Sequence, residues 1–398
     1  MASQALILAG GLGTRLGDLT KETPKPILPV GGVLFMEHVL WNLKRHGITR
    51  ILLSTGYLAD RVEEVLGDGS RLGIQLNYCV ETEALGTGGA TRFAAPFLED
   101  EFFVLNGDTL FDANYWALGA AKQGTGTAAM ALRQVVDVSR YGGCTLKNGE
   151  VTAFQEKGHS GPGVINAGIY ALDQETIGRL PQRKSSLERD LFPHLAQEGK
   201  LAGVPSDSFF IDIGLPETLA EANESVPKWR RKPCAFLDRD GVLNVNTHHT
   251  HRTEDLHWIE GSREAVRWLN DNGYLVLVIT NQAGIGKGKY NEAHFHHFMS
   301  QMEAQLHEVG AHLDGYYFSP YHPTEGIGEY LQDSQDRKPN PGMILRAFDE
   351  WDIDRERSFV IGDKPSDIEA AERAGLQGFL FEPGDHLLET AKRAALKC

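Results

Sequence analysis

The second half of the chain holds two aspartates whose type and spacing suit phosphoryl transfer. Asp238 and Asp240 stand in FLDRDGVLN (236–244), within and directly after an apolar, strand-like run. A carboxylate at Asp238 can attack phosphorus, and Asp240 can protonate the departing alcohol and later activate water. The Asp-x-Asp-Gly pattern also resembles the start of a calcium loop, but the glutamate that would complete that ligand spacing is missing. The pattern therefore favours transfer of a phosphoryl group to Asp238.

Three later segments add groups that bind phosphate or a divalent cation. They are VITNQ (278–282) with Thr280 and Asn281, RKPNPG (337–342) with Arg337 and Lys338, and IGDKPSD (361–367) with Asp363 and Asp367. A hydroxyl and cationic side chains can hold a phosphate, and Mg²⁺ lets an anionic nucleophile approach it. An open α/β sheet builds its site at the carboxyl ends of parallel strands, so we expect these segments to lie together there.

A second kind of chemistry is indicated near the start of the chain, where LAGGLGTRLGDLTKETPKP spans residues 8–26. Gly10, Gly11 and Gly13 follow a strand-like run, and glycine lets backbone N–H groups approach phosphate oxygens. Neither the GK[ST] of a Walker loop nor the GxGxxG of a dinucleotide fold is present at the right spacing. A plain tight turn is the alternative to a phosphate loop of another type. The positive charges of Arg15 and Lys25 favour the phosphate loop.

Length, charge and cysteine content limit the class of protein. The chain has 398 residues and a formal net charge of −15. Nucleic-acid binding is disfavoured, because proteins of that class usually carry a large basic excess. The apolar run at 5–9 is too short for a signal peptide or a membrane span, and the four cysteines lack metal-knuckle or disulfide spacing. We expect a cytoplasmic protein with reduced thiols and no membrane partner, and a homo-oligomer stays open.

Strand-like and helix-like segments alternate through both halves of the chain. In the first half, strands are predicted at 5–9, 50–55, 75–81, 101–108, 126–135, 163–172 and 207–214, and helices at ranges such as 36–47, 58–69 and 186–199. In the second half, strands are predicted at 234–238, 274–281, 314–320, 358–363 and 377–381. This rhythm predicts an α/β fold with two domains, each a mainly parallel sheet with helices on both faces. We place the domains at 1–225 and 234–398. The proline-flanked basic segment around 226–233 is predicted as a linker, with an anion-binding patch as the alternative.

The glycine loop and the PKP that follows it resemble the signature of the sugar-1-phosphate nucleotidyltransferases. Further motifs stand in the order of that family: LGTGGA (85–90), NGDTL (106–110), FQEKG (154–158), NAGIY (166–170) and FIDIG (210–214). The resemblance implies nucleotide contacts at Gly10, Gly11, Gly13, Thr14 and Gly86, sugar contacts at Glu156, Lys157 and Asn166, and Mg²⁺ ligands at Asp108 and Asp212. It covers the chain as far as the predicted linker.

In this family a sugar 1-phosphate attacks the α-phosphorus of a nucleoside triphosphate, and pyrophosphate leaves. By resemblance, Mg²⁺ held by Asp108 and Asp212 would bridge the phosphates, while Arg15 and Lys25 would offset the developing charge. Neither a covalent intermediate nor a protein general base is required, because the nucleophile, the sugar phosphate, is already an anion. Either aspartate alone would be explained as a turn or cap residue, but both at family positions indicate catalysis.

The second half resembles the haloacid dehalogenase superfamily in the order of its motifs. That resemblance implies Mg²⁺ held by Asp238, by the backbone carbonyl of Asp240 and by Asp363. DRDGVLN, TNQAGIGKG, RKPNPGM and GDKPSDIEAAERAG look more narrowly like the heptose-bisphosphate and histidinol-phosphate phosphatases, a branch that often carries a zinc loop before RKP. The positions of the zinc ligands are taken here by Ser319, Tyr321, Ser334 and Asp336. No zinc is expected from such a donor set.

A histidine-rich stretch, THHTHR (247–252), follows the Asp-x-Asp segment. Its histidines at 248, 249 and 251 could bind a metal, or they could belong to a substrate-facing or solvated loop. The polar surroundings favour the loop. Arg252 in the same stretch, together with Lys287 and Lys289 further along, could contact a phosphate or the sugar of a substrate.

Two phosphate-handling halves on one chain suggest consecutive reactions. EALGTGGA, SLERDLF and FIDIGLPE look most like heptose-1-phosphate guanylyltransferases. The combined resemblance implies that the 7-phosphate of D-glycero-D-manno-heptose 1,7-bisphosphate is removed and that the 1-phosphate is coupled to GTP. Three alternatives stay open: another nucleotide or another sugar 1-phosphate such as that of mannose or N-acetylmuramate, a histidinol-phosphate phosphatase half, or a regulatory C-terminal half without catalysis.

Overall fold

Strands made of nearly continuous apolar runs, such as ALIL and LVLVIT, must be buried on both faces of their sheet. Both halves of the chain contain such strands and pack helices on both faces of a sheet. In the computed structural model, the chain divides into two units, Met1–Trp229 and Arg230–Cys398. The structure describes residues 2–11, 13–139, 143–154, 160–247 and 249–398. No helix within these ranges has the length and apolar character needed to cross a membrane.

The first unit contains thirteen strands and eight helices among its described residues. The strands are β1 (Gln4–Leu8), β2 (Pro29–Val30), β3 (Val33–Leu34), β4 (Arg50–Thr55), β5 (Gln75–Val80), β6 (Glu101–Asn106), β7 (Thr109–Phe111), β8 (Ala128–Val135), β9 (Cys144–Lys147), β10 (Glu150–Phe154), β11 (Gly163–Asp173), β12 (Leu201–Ser206) and β13 (Phe210–Asp212). The helices are α1 (Phe35–Arg45), α2 (Ala59–Leu66), α3 (Gly86–Ala94), α4 (Tyr115–Thr125), α5 (Gln174–Gly178), α6 (Leu187–Asp190), α7 (Phe192–Gln197) and α8 (Pro216–Arg230).

Nine of these strands form one sheet in the order β5-β4-β1-β6-β11-β8-β12-β10-β9. Neighbours from β5 to β6 are parallel, and β8 is parallel to β12, whereas β11 runs antiparallel to β6 and β8. On β1, Ile7 belongs to a core cluster that includes residues of α1 and α8, and Leu6 belongs to a cluster that includes residues of α6 and α7. The predicted mainly parallel sheet with helices on both faces is confirmed, with β11 and β10 as reversed strands in it.

Two local predictions for the first unit differ from the structure. The predicted helix at 186–199 is divided at Leu191 into α6 and α7, with Pro193 in the first turn of α7; the Ser186 hydroxyl caps α6 by accepting a hydrogen bond from the Arg189 N–H. The segment predicted as a linker is helical as far as Arg230. The Trp229 ring packs against Trp41 and Phe209 of the first unit, and the boundary between the two units, after Trp229, falls inside the predicted linker at 226–233.

The second unit is built on a five-stranded parallel sheet, as predicted. Its strands are β14 (Cys234–Leu237), β15 (Leu275–Asn281), β16 (Gly315–Ser319), β17 (Phe359–Gly362) and β18 (Gln377–Leu380), in the order β16-β15-β14-β17-β18. Its helices are α9 (Ser262–Asp271), α10 (Ala283–Gly286), α11 (Glu292–Glu308), α12 (Gly342–Glu350), α13 (Pro365–Arg373) and α14 (Leu387–Ala395). Alternate residues of β14 enter two core clusters: Leu237 is clustered with residues of α9, α11 and α14, and Phe236 with residues of α12 and α13.

Candidate active sites

A cavity of about 420 Å³ lies at the carboxyl ends of β1 and β6 in the first unit. Among its lining residues are most of those predicted to contact a nucleotide or its phosphates: Gly10, Gly11, Gly13, Thr14, Arg15, Lys25, Gly86 and Asp108. Glycine is needed where the loop passes closest to its surroundings. A Cβ on Gly10 would lie 2.7 Å from Glu81 Oε1, and Gly13 has a φ of +63°. The loop thus places its backbone and the cationic side chains of Arg15 and Lys25 at one cavity.

The two aspartates predicted to bind Mg²⁺ in the first unit lie side by side, Asp108 just before β7 and Asp212 at the end of β13. β7 and β13 pair so that Asp212 faces Thr109, the residue after Asp108, and the Ile213 N–H donates to the Asp108 carbonyl at 3.0 Å. Lys25 Nζ lies 2.6 Å from Asp108 Oδ2. A Cβ added to Gly214 would lie 2.6 Å from Asp212 Oδ1 and 3.5 Å from Lys25 Nζ, so the three groups surround one point. Carboxylate oxygens are ligands that suit Mg²⁺.

Glu81 also lines this cavity, although sequence reasoning did not select it. Its carboxylate accepts hydrogen bonds from Ser54 Oγ at 2.8 Å and from the Leu85 N–H at 3.2 Å. Its position offered a signal, because it follows β5 directly and the carboxyl ends of parallel strands form the site. A fixed carboxylate is therefore available in the cavity wall, directly beside Gly10 of the glycine loop.

The predicted sugar-contacting residues are placed only in part. Glu156 and Lys157 lie outside the described residues. Asn166 is outside the cavity lining: its Nδ2 donates to the Tyr170 hydroxyl at 2.9 Å, and its Oδ1 accepts from the Gly168 N–H at 2.9 Å. The Tyr170 hydroxyl in turn lies 3.4 Å from Glu188 Oε1. Asn166 thus belongs to a hydrogen-bond network beside the cavity.

In the second unit, Asp238 lies at the end of β14 beside a buried lysine. Lys338 Nζ is 3.0 Å from Asp238 Oδ1 and 2.7 Å from Asp367 Oδ1, and all three residues are almost fully buried. Burial raises the pKa of Asp238 to about 7; Lys338 opposes this shift, whereas Asp367 and Asp240 add to it. Burial acts to lower the pKa of Lys338, but the two carboxylates outweigh it and leave the pKa above its ordinary value. The ammonium therefore stays charged beside the candidate nucleophile.

A group of three carboxylates in the second unit has the geometry to hold a divalent cation. Oxygens of Asp238, Asp363 and Asp367 all lie within 4.8 Å of one another. Asp363 Oδ1 is buried without a hydrogen-bond partner, and Lys364 Nζ lies 3.3 Å away. A Cβ on Gly241 would lie 2.3 Å from Asp363 Oδ2, so only glycine lets the loop after Asp240 approach this carboxylate. Three carboxylates whose oxygens lie this close together are hard donors that fit Mg²⁺.

Asp240 is oriented by donors that sequence reasoning did not identify. Its carboxylate accepts from Arg239 Nη2 at 2.7 and 3.0 Å, from Asn244 Nδ2 at 3.0 Å and from Gln282 Nε2 at 2.9 Å. Arg239 is completely buried, with its guanidinium 4.7 Å from the ring centroid of Phe298. The sequence did offer a signal for Arg239, because it is a charged residue between the two predicted catalytic aspartates.

The remaining predicted phosphate-binding residues converge on a cavity of about 380 Å³. Its lining includes Asp238, Asp240, Thr280, Asn281, Gln282, Tyr290, Arg337, Lys338, Lys364 and Asp367, together with His249 from the histidine-rich stretch. Two hydrogen bonds of 3.0 Å join Asn281 to Lys338: Asn281 Nδ2 donates to the Lys338 carbonyl, and the Lys338 N–H donates to Asn281 Oδ1. They fix the segment that carries Lys338 to the end of β15. Arg337 donates to the Tyr321 carbonyl at 3.0 Å.

The loop that replaces the zinc loop is held by protein contacts. Nδ1 of His322 accepts from the backbone N–H groups of Thr324 and Glu325, and Glu325 forms an ion pair with Lys287. The Ile327 N–H donates to the Gly286 carbonyl at 2.8 Å. Since thiolates are lacking and His322 is engaged in its own turn, these donors do not fit a structural zinc site.

The histidine-rich stretch lies beside the second cavity, although His248 is outside the described residues. His249 lines the cavity and has a φ of +66°, a conformation that non-glycine residues seldom adopt. The ring of His251 is stacked on Tyr290, with centroids 4.5 Å apart and an interplanar angle of 7°. The substrate-facing or solvated loop that the sequence favours over a metal site stays a prediction.

Comparison with known proteins relates each unit to a different family. The Nucleotidyl transferase profile matches residues 4–228, and the HAD-hydrolase-like profile matches residues 335–397. The D-glycero-alpha-D-manno-heptose 1-phosphate guanylyltransferase of Campylobacter jejuni is 38% identical over 216 residues, which are 54% of this chain and 96% of the relative. The D-glycero-beta-D-manno-heptose-1,7-bisphosphate 7-phosphatase of Rhodopseudomonas palustris is 44% identical over 155 residues, which are 39% of this chain and 86% of the relative.

A solved structure supports the relation of the first unit. HddC from Yersinia pseudotuberculosis matches with a TM-score of 0.51 at 34% identity, over 56% of this chain and 99% of that one, and it has also been solved in complex with GMP-PN. These likenesses agree with the phosphate loop of the first unit and with the carboxylate–lysine cluster of the second. The chain therefore belongs to the nucleotidyl transferase family through its first unit and to the HAD-like phosphatases through its second, and it is a bifunctional enzyme.

Proposed function

We propose that the chain catalyses two consecutive steps in making a nucleotide-activated heptose. The second unit removes the 7-phosphate of D-glycero-D-manno-heptose 1,7-bisphosphate, and the first couples the remaining 1-phosphate to GTP, giving GDP-heptose and pyrophosphate. The observation that carries the proposal is the presence of two separate lysine–aspartate clusters on one chain: Lys25 with Asp108, and Lys338 with Asp238 and Asp367. The named relatives of the two units are a heptose-1,7-bisphosphate 7-phosphatase and a heptose 1-phosphate guanylyltransferase, so removal of the 7-phosphate would yield the class of compound that the second reaction uses.

In the phosphatase step, an oxygen of Asp238 attacks the 7-phosphorus, and the bond between phosphorus and the sugar oxygen breaks. The sugar oxygen keeps the electron pair and takes a proton from Asp240. Asp240 then removes a proton from water, whose oxygen attacks the aspartyl phosphate and releases inorganic phosphate from Asp238. Lys338 and Thr280 bind the phosphate oxygens. Mg²⁺ held by Asp238, Asp363 and the Asp240 carbonyl would reduce the repulsion between nucleophile and phosphate.

In the transferase step, a phosphate oxygen of heptose 1-phosphate attacks the α-phosphorus of GTP, and the bond to the bridging oxygen breaks, so pyrophosphate leaves. Asp108 and Asp212 would hold the Mg²⁺ that neutralises the phosphates. The glycine loop presents N–H groups to the triphosphate, while Arg15 and Lys25 face the growing negative charge. No proton has to move, so the contribution of this unit is positioning and charge compensation.

Glu81 supports guanine as the base. Each of its carboxylate oxygens accepts one hydrogen bond, from Ser54 or Leu85, and keeps a further lone pair for a ligand. The N1–H and N2–H₂ groups of guanine form two adjacent donors that such a carboxylate can accept. Adenine places an acceptor at N1, which a carboxylate repels. A site built around buried polar groups rejects a ligand that leaves them unpaired.

The pairing of the two steps also selects an anomer. The phosphatase relative is named for the β-bisphosphate, whereas the transferase relative is named for the α-1-phosphate. The 7-phosphatase step leaves the anomeric carbon untouched, so consecutive steps need the same anomer at the start and at the end. We therefore propose the α-bisphosphate as the substrate of this chain, and the cytoplasm, where GTP is made, as its place of action.

The test is to incubate the full chain with the α-bisphosphate, GTP and Mg²⁺ and to follow the products by ³¹P NMR. Inorganic phosphate, pyrophosphate and GDP-heptose should appear in equal amounts. Asp238→Asn should release no phosphate yet still couple supplied heptose 1-phosphate, and Asp108→Asn should release phosphate without forming GDP-heptose. Phosphate without a nucleotide sugar from the wild-type chain would refute the transferase substrate. Faster turnover of mannose 1-phosphate or histidinol phosphate would favour the corresponding alternative.

A further inference from the structure

A buried glutamine connects the proposed acid–base group with the phosphate-binding hydroxyl. Gln282 follows β15 and is 2% exposed. Its side-chain nitrogen donates to Asp240 Oδ2 at 2.9 Å and to Thr280 Oγ1 at 2.7 Å. Its side-chain oxygen accepts from the Tyr290 hydroxyl at 2.5 Å and from Arg239 Nη2 at 3.2 Å. The amide therefore joins four groups from three separate segments of the second unit.

The neighbours of Gln282 determine which way its amide faces. Arg239 can only donate hydrogen bonds, so the amide oxygen must face it. Burial raises the pKa of Tyr290 to about 12, so its hydroxyl is protonated and can donate to the same oxygen. The NH₂ group is then directed at Asp240 and Thr280. A flipped amide would set donors against Arg239 and an acceptor against Asp240, which leaves buried polar groups unpaired.

Tyr290 is itself held firmly. It is 7% exposed, and the ring of His251 covers it in a parallel stack. A Cβ on Gly284 would lie 2.2 Å from Tyr290 Cε1, so the glycine lets α10 pass directly against the tyrosine ring. His251 Nδ1 lies 2.7 Å from the His249 carbonyl, which keeps the covering ring in place. The histidine-rich stretch thus packs Tyr290 against Gln282.

We propose that Gln282 is a positioning residue for the phosphatase reaction, which holds Asp240 in line with the leaving oxygen, and that Tyr290 fixes its amide. Arg239 and Asn244 also bind Asp240, but both lie on the turn that carries it, and Gln282 alone of these donors also contacts Thr280. A displacement of the order of 1 Å in a reacting group can lower a rate about 100-fold. This inference rests on the proposed acid–base role of Asp240.

The chemistry supplies a test that separates positioning from general damage. Protonation by Asp240 matters most when the leaving oxygen is strongly basic, as in a sugar or glycerol phosphate. The leaving group of p-nitrophenyl phosphate is a weak base that departs without help, but the aspartyl phosphate formed from it still needs Asp240 to activate water. Misplacing Asp240 should therefore slow both steps for a sugar ester, and only the second step for the nitrophenyl ester.

The experiment compares Gln282→Met and Tyr290→Phe with the wild-type chain at saturating Mg²⁺, using heptose 1,7-bisphosphate, glycerol phosphate and p-nitrophenyl phosphate. For Gln282→Met, kcat on the two alkyl esters should fall about 100-fold, with KM changed less than about threefold. Rapid mixing with p-nitrophenyl phosphate should give a burst of one equivalent of nitrophenolate before slow turnover. Tyr290→Phe should show the same pattern with a loss of about fivefold, because it removes one hydrogen bond.

Gln305→Met is the matched control, since it removes a glutamine hydrogen bond to Trp258 that lies outside the cavity. It should keep wild-type kinetics. Equal losses on all three substrates without a burst, or wild-type kinetics for Gln282→Met, would overturn the proposal. If Gln282→Met fails to fold in a thermal melt, Tyr290→Phe decides alone. Asp240→Asn distinguishes a failure of the proposed acid–base role from a failure of the role of Gln282. If both Asp240→Asn and Gln282→Met lack the burst, the acid–base role of Asp240 fails. If Asp240→Asn shows the burst and Gln282→Met does not, only the role of Gln282 fails.

Discussion

Replacing Gly241 by alanine should disable the phosphatase by displacing Asp363. A Cβ at this position would lie 2.3 Å from Asp363 Oδ2, and real Cβ contacts are essentially never shorter than 3.0 Å, so the carboxylate must retreat by 3.0 − 2.3 = 0.7 Å or more. The φ of +101° at Gly241 adds strain of about 1–2 kcal/mol for any residue with a Cβ. The substitution therefore acts on the proposed cation site and on stability at the same time.

The effect on catalysis follows from the small tolerance of metal sites. Ligand distances in such sites vary by only about 0.2 Å, so a shift of 0.7 Å removes Asp363 as a ligand for a cation placed by Asp238. We expect kcat/KM for p-nitrophenyl phosphate to fall about 100-fold at 1–5 mM Mg²⁺ (on the order of cellular levels) and the half-saturating Mg²⁺ concentration to rise. Higher Mg²⁺ should restore part of the rate. The measurement is a Mg²⁺ titration of the initial rate.

A matched variant separates the displacement of Asp363 from the backbone strain. Gly273 has a φ of +79°, and a Cβ there would meet no atom within 4 Å. Gly273→Ala should thus lower the unfolding midpoint about as much as Gly241→Ala while leaving the Mg²⁺ dependence unchanged. If Gly241→Ala kept the wild-type rate and Mg²⁺ midpoint, Asp363 would not be a cation ligand and the reasoning would be refuted.

Three further outcomes are expected. Glu81→Gln should lower kcat/KM for GTP by about 30- to 100-fold, because one guanine N–H would face an amide donor; rates with GTP, ATP, UTP and CTP measure this, and an unchanged preference for GTP would contradict it. Burial raises the pKa of Glu303 to about 7 from 4.5, so its contribution to stability is greatest below pH 4.5 and is lost as the pH rises through 7. Glu303→Gln should therefore exceed the wild type in stability by about 1–3 kcal/mol at pH 8 and by less at pH 5, as urea unfolding would show; a constant difference would argue against this. Removal of divalent cations with EDTA should abolish the phosphatase activity, and Mg²⁺ alone should restore it; a requirement for added zinc would be the contrary result.

Much of the second site could be predicted because its residues follow strands of one parallel sheet. Asp238 ends the apolar run of β14, Thr280 ends that of β15, and Asp363 follows β17; these three strands are neighbours in the order β15-β14-β17. Since side chains at the same end of adjacent parallel strands meet, the linear pattern was enough to bring them together. The glycine loop and Asp108 of the first unit were predictable for the same reason.

Gln282, Arg239 and Glu81 also stand next to strand ends or between motif residues, but that position does not show what each side chain contacts. Each is a single polar residue whose role depends on a partner far away in the sequence: Gln282 on Asp240, and Glu81 on Ser54. Many polar residues stand next to motifs without such partners. Hydrogen bonds across a sheet are decided by packing and register, and no local spacing encodes them.

By itself, the sequence determined the α/β class, two phosphate-binding ends of two sheets and most of the charged groups placed there, because strand periodicity and glycine spacing are local properties. Only the tertiary structure decided that β11 runs against its neighbours, that α8 continues through the predicted linker to Arg230, and that three carboxylates lie within 4.8 Å of one another. These features depend on which surfaces of distant segments bury each other. Trp229 shows the reason: its ring packs against Trp41, a residue far away in the sequence, and no local pattern encodes that contact.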